Sequence, residues 1–131
     1  MERRVVNPWT WQDQYGFVQA HEVTGPGRTL FCAGQTSTDA DGNPLHEGDM
    51  PAQLNQALEN LETVLREAGF ELSDVVRLNT YTTNVDAFIE AGEPFTARLM
   101  EAGCRPCATL VGVERLAFPE FLVELEATAV A

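Results

Sequence analysis

The stretch FLVELEATAV, Phe121 to Val130, alternates almost without exception between apolar and polar residues. In an extended chain, Phe121, Val123, Leu125, Ala127 and Ala129 fall on one face, and Leu122, Glu124, Glu126, Thr128 and Val130 on the other. It reads as a strand with one face on a core, and what covers each face decides the fold. A cover for the apolar face lies in GDMPAQLNQALENLETVLREAG, Gly48 to Gly69. Leu54, Ala57, Leu58, Leu61, Val64, Leu65 and Ala68 recur at helical spacing and form a single stripe. Asp49 is placed to cap this helix, Pro51 sits in its first turn, and Gly69 fits the residue that ends it.

Working outward, DVVRLNTYTT (Asp74 to Thr83) and ATLVGV (Ala108 to Val113) are rich in β-branched residues and read as strands. FVQAHEV (Phe17 to Val23) and TLFCAGQT (Thr29 to Thr36) flank TGPGR, which predicts a hairpin. DADGNPLHEGD (Asp39 to Asp49) is a loop of turn formers. Asn84 is expected to cap a second helical segment carrying Val85, Phe88 and Ile89. Gly92 and Pro94 predict a break there, with a second piece running to about Ala102 and closed by Gly103. The order is ββαβαββ, an α+β domain with both helices on one face of a mixed sheet. The uncovered face holds Glu124 and Glu126 but also Leu122 and Val130, which favours a partly buried interface over open water.

The 131 residues suit a single domain, 1–131, with residues 1–15 as an N-terminal arm. No apolar run approaches the roughly 20 residues needed to cross a bilayer, and MERRVVNPWTW has no apolar region after its arginines. A cytoplasmic protein with no membrane partner is expected. Eight basic residues against 20 acidic ones give a net charge of −12, which repels polyanions and makes nucleic acid a poor partner.

GCRPC, Gly103 to Cys107, spaces two of the three cysteines as C-x-x-C. A redox pair places its first thiolate at a helix N-terminus, whereas Cys104 follows a helix and Cys107 leads into a strand. A zinc site needs four ligands, and Cys32, His21 and His46 lie in no paired motif. Packing of small apolar thiols is the simpler reading, and these residues call for no metal or cofactor.

From about Phe17 onward the chain resembles the Rid/YjgF family, the reactive-intermediate deaminases related to RidA. FVQA (Phe17 to Ala20), AGQT (Ala33 to Thr36), the helix from Gly48 to Gly69, DVVRLNTYTTNVDAF (Asp74 to Phe88), RPCATLVGVERL (Arg105 to Leu116) and LVELEATAV (Leu122 to Val130) carry the resemblance, in order. It implies a chorismate-mutase-like fold and a homotrimer, with the sheets forming an inner barrel and small-molecule pockets at the subunit interfaces. It also implies hydrolysis of enamines and imines such as 2-aminoacrylate, with an arginine holding the substrate carboxylate and a glutamate moving protons.

Carried over residue by residue, the pocket glutamate falls on Glu124 and the glycine of the family's Ser-Gly-Gln on Gly34. Its serine falls on Ala33, the pocket tyrosine on Phe17, and a helical asparagine on Gly92. The substrate-binding arginine of Pro-x-Arg falls on Ala108, after Pro106 and Cys107. Phe17, Ala33, Gly34, Phe95, Cys107 and Ala108 are therefore the expected pocket residues, and Glu124 the expected catalytic one. Arg105 and Arg115 are poor substitutes, the first by strand alternation and the second by distance along the strand. Trp9, Trp11 and Tyr15 either wall the pocket or pack an N-terminal arm. Glu124 is either an acid or base for a neutral or cationic imine, enamine or carbonyl compound, or part of an interface salt bridge to Arg77 or Arg115. The readings are an imine/enamine hydrolase or tautomerase with doubtful 2-aminoacrylate activity, or a non-catalytic trimer binding a metabolite or protein.

Overall fold

The computed structural model describes residues 1–131. Its strands are β1 (Glu2–Val6), β2 (Ala20–Thr24), β3 (Thr29–Phe31), β4 (Val75–Thr82), β5 (Cys107–Gly112) and β6 (Val123–Val130). Helix α1 (Met50–Glu67) joins β3 to β4, and α2 (Val85–Glu101) joins β4 to β5. A mixed sheet runs in the order β3-β6-β4-β5, with β4 and β5 parallel and the other pairs antiparallel. The parallel pair requires a crossover, which α2 supplies.

The alternation in β6 does what its pattern implies. Val123, Leu125, Ala127 and Ala129 are fully buried, and Leu54, Leu58, Leu61 and Leu65 of α1 join them in one core with Leu78 and Leu99. Asp49 caps α1 by accepting a hydrogen bond from Ala52 N at 3.1 Å, and Gly69 takes the left-handed φ of 79° that ends the helix. Gln53 is buried beside this core, with its amide donating to the carbonyls of Glu120 and His46 while its carbonyl accepts from Leu122 N. One side chain thus ties the loop before α1 and the entry to β6 to the helix.

Two expectations are corrected. The hairpin between residues 17–23 and 29–36 does not form. β2 begins at Ala20 and pairs instead with β1, from Glu2↔Thr24 to Val6↔Ala20, inside what was read as an arm. β3 takes the free edge of β6, and Arg28 and Ala131 extend that ladder by exchanging two backbone bonds. An N-terminal strand with Arg4 opposite Glu22 competes successfully for β2, and the two side chains pair at 3.1 Å.

The second helix does not break either. α2 is continuous with Pro94 inside it. The carbonyl that Pro94 leaves unpaired belongs to Glu90, an exposed residue, so water can satisfy it. Phe88 and Phe95 pack edge-on at 6.2 Å, and Leu99 is buried, so both halves of the helix are pinned to the same core.

Candidate functional site

Glu124 stands on the uncovered face of β6, opposite Tyr81 of β4. The strand segment beside it is irregular. Phe31 pairs with Thr128 but Gln35 pairs with Leu125, so four steps along one strand match three along the other. This is a bulge at Ala33–Gly34. It carries the backbone of Gly34 directly under the Glu124 side chain, where an added Cβ would lie 1.9 Å from Oε1. Gly34 is therefore required by space. The bulge is held from behind by Asn60 of α1, whose amide donates to the carbonyls of Thr36 and Thr38. Burial, then the neighbouring charge of Glu126, holds the Glu124 carboxyl above its ordinary pKa. No salt bridge within the chain reaches Glu124.

Glu126 shares this face and has the opposite environment. Asn79 Nδ2 donates to its Oε1 at 3.1 Å and Tyr81 Oη donates to the same atom at 2.9 Å. These two bonds, with the nearby charge of Arg77, hold Glu126 below its ordinary pKa, and the Asn79 bond is the larger cause. The Tyr81 phenol is raised in turn by its bond to Glu126.

Phe17, Cys107 and Ala108 gather at the other edge of the sheet. Val18 forms a parallel bridge with Cys107 and donates to Pro106 O at 3.0 Å, which sets Phe17 alongside the start of β5. Trp11 meets Phe17 edge-on at 5.8 Å, while Trp9, Trp11 and Tyr15 stay largely exposed. Ala108 pairs with Leu78, on the opposite sheet face from Glu124, and is exposed. Arg105 is drawn away from it by Asp13, at 3.0 Å. Arg77 reaches Cys107 Sγ at 3.7 Å and Thr109 Oγ1 at 3.4 Å on the Glu124 side of the sheet. Arg115 donates to the neighbouring carbonyl of Leu116. No arginine is directed at Ala108 by these contacts.

The expected residues therefore fall into separate groups. Gly34 and Glu124 are in contact, with exposed Ala33 adjoining in the bulge. Phe17, Cys107 and Ala108 form the second group. By strand spacing and rise, Cys107 is roughly 16 Å from Glu124. Phe95 belongs to neither, since it lines a shallow groove between the helices with Pro51, Leu54 and Leu58. Sequence reasoning overlooked Asn79 and Tyr81, although alternation in DVVRLNTYTT places Arg77, Asn79 and Tyr81 on one face.

The two C-x-x-C cysteines do not form a pair. Cys104 is fully buried, and burial pushes its thiol up to about 12. Cys107 donates to Val76 O at 3.0 Å, at a point where the β4–β6 register slips and that strand bulges. Both thiols are free, and each has a structural role where it stands.

Comparison with known proteins agrees with this architecture. The sequence model of the endoribonuclease L-PSP family matches residues 14–131. A RutC family protein of Pyrococcus horikoshii is 33% identical over 103 residues, covering 79% of each chain. A 2-iminobutanoate/2-iminopropanoate deaminase of Salmonella typhimurium is 28% identical over 105 residues, 79% of this chain and 80% of that one. Among solved structures, YyfB of Yersinia pestis, a protein of the conserved Rid family, superposes with a TM-score of 0.89 at 41% identity over the full length of both chains. The α+β fold is thus the chorismate-mutase-like one of these neighbours, and the chain belongs to the Rid/YjgF family.

Proposed function

We propose that copies of this chain assemble, as a homotrimer, so that the Phe17–Ala108 edge of one copy meets the Glu124–Gly34 face of the next. A small-molecule pocket forms at that junction. In it Glu124 acts as acid or base in the hydrolysis or tautomerisation of a small imine, enamine or related carbonyl compound. The observation that carries this reading is the setting of Glu124. It lies against the Gly34 backbone, has no salt bridge within the chain, and has its pKa raised by burial on an otherwise open face. A carboxyl raised above its ordinary pKa is better suited to giving and taking a proton than a fully ionised one. The separation of the expected residues into two groups at different parts of the sheet supports a pocket that one chain does not complete.

The Salmonella relative is named for imino acids, which carry a carboxylate. Here Ala108 supplies no charge and Arg105 is committed to Asp13. A charge-assisted hydrogen bond contributes about 1.5–3 kcal/mol, so turnover of 2-aminoacrylate is not expected. Ribonuclease activity, which the family's description names, sits poorly with a net charge of −12 and two glutamates on the open face.

The test is release of ammonia and keto acid or aldehyde from freshly generated 2-aminoacrylate and from a panel of neutral imines. Wild type, Ala108→Arg and Glu124→Gln are compared. Turnover of a neutral imine that Glu124→Gln abolishes supports the enzyme. Rapid 2-aminoacrylate turnover by wild type contradicts the reading of Ala108. A second reading, a non-catalytic trimer that binds a metabolite or protein, is favoured by exposed apolar side chains at both edges of the sheet, Phe31 on β3, which is 81% exposed, and Leu110 and Val111 on β5. It predicts ligand binding that Glu124→Gln leaves largely intact, with no turnover of any imine.

A further inference from the structure

Glu124 and Glu126 are two residues apart on one strand and face the same way, so their carboxylates are neighbours on the open sheet. Such a pair disfavours ionising both members. Which member keeps its proton is decided by what else touches each. Glu126 receives two hydrogen bonds on Oε1, from Asn79 and Tyr81 of the adjacent strand. Glu124 receives none, and its remaining side is closed by the uncharged backbone of Gly34. Arg77, the one cation on this face, is engaged with Cys107 and Thr109. The β4–β6 register places Arg77 opposite Thr128, four residues from Glu124 along β6.

We propose that Glu126, clamped by Asn79 and Tyr81, is a positioning residue that makes Glu124 the proton-carrying member of a carboxylate pair. This deepens the reading of Glu124 as acid or base and rests on it for its use in catalysis. The inferred division of labour is itself a property of the folded chain. Two carboxyls in unlike surroundings separate into an acid and a fixed anion. Here the anion is fixed by donors that cannot reach its neighbour without leaving Glu126. The titratable groups facing Glu124 are Glu126 on its own strand and Tyr81 across from it on β4. Cys107 and Arg77 stand further along the face, and β3 with its bulge contributes Phe31 and Gly34, which carry no charge.

The experiment is a pH titration of side-chain carboxyl signals by ¹³C NMR on the full-length protein labelled at glutamate. The Glu124 signal is assigned by its loss in Glu124→Gln. In Glu126→Gln, which retains a carbonyl for both donors, the Glu124 midpoint is expected to move to lower pH. In Tyr81→Phe, which removes one donor, the midpoints of the two glutamates are expected to move toward each other. An unchanged Glu124 midpoint in Glu126→Gln overturns the proposal. Should that variant fail to fold, midpoints left as far apart in Tyr81→Phe overturn it equally. If the midpoints move as expected while no imine is turned over, the pairing stands and the catalytic reading of Glu124 falls.

Discussion

A methyl group on Gly34 would lie 1.9 Å from Glu124 Oε1 and 2.9 Å from its Cγ, so the two side chains cannot coexist as the strands are placed. The cheapest relief for Gly34→Ala is to swing Glu124 off the bulge into water. That removes the burial that raises its pKa, so its titration midpoint should fall in this variant, as read from the same carboxyl signal. Melting temperature supplies a second check at this scale. Folding raises the pKa of Glu124, so its ionised form opposes folding. This cost is absent below the unfolded-chain value, about pH 4.3, and reaches its full size above the folded value. Glu124→Gln carries no such cost. Its melting temperature relative to wild type should therefore rise as pH is raised through the carboxylate range. Glu126 behaves oppositely, because folding lowers its pKa. Its contribution is present at neutral pH and is lost as pH falls through its folded value, so Glu126→Gln should be less stable than wild type near neutrality and converge with it in acid.

Among the elements, α1 owes its position to more than its leucine stripe. Gln53 closes three hydrogen bonds to the loops at 46 and 120–122. Gln53→Leu would leave Leu122 N and Glu120 O, on two half-buried residues, without their side-chain partner, a cost of at most about 1–3 kcal/mol for each group, measurable by urea denaturation. Leu61→Ala in the same helix should cost about 2–5 kcal/mol, since Leu61 is 1% exposed. Pro94 offers the reverse case. Proline in a helix interior is about 3 kcal/mol less favourable than alanine, so Pro94→Ala should stabilise the fold by some part of that amount in the same assay. These elements also show what sequence can reveal. Period, caps and breakers gave α1 and β6 nearly to the residue, because local physics and tertiary packing agree there. They misjudged Pro94 because the cost of a proline is local, whereas Phe88, Phe95 and Leu99 hold α2 together from outside. They misjudged the hairpin because a turn signal at Gly25–Gly27 says nothing about which distant strand lies at each edge. The contact of Gly34 with Glu124 depends on a one-residue bulge, and no periodicity reports that.

For the whole molecule, the sheet ends at β3 on one side and β5 on the other, and within the chain no further strand pairs with either edge, only Val18 bridging the start of β5 at Cys107. Phe31 on β3 points to the same face as Glu124, since it pairs with Thr128, and it is 81% exposed. Val111 of β5 points to this face too, through its pairing with Tyr81, and is 37% exposed. Apolar side chains at both ends of a face whose centre is charged argue for a neighbour at the rim and an enclosed polar middle. Exposed edge strands left bare would invite uncontrolled pairing, and closing the sheets of several copies on one another removes that risk. The expected outcome is a sedimentation mass of about three times the 14.4 kDa chain. Phe31→Asp places a charge at the rim without touching the core around α1. It should shift the mass toward a single chain while far-UV circular dichroism stays that of a folded protein. Dissociation should also remove any turnover or ligand binding that depends on Glu124, because the Phe17–Ala108 edge would no longer be supplied. A wild-type chain that sediments as a monomer and yet turns over an imine would place the whole site within one copy, and the two-part pocket would have to be abandoned.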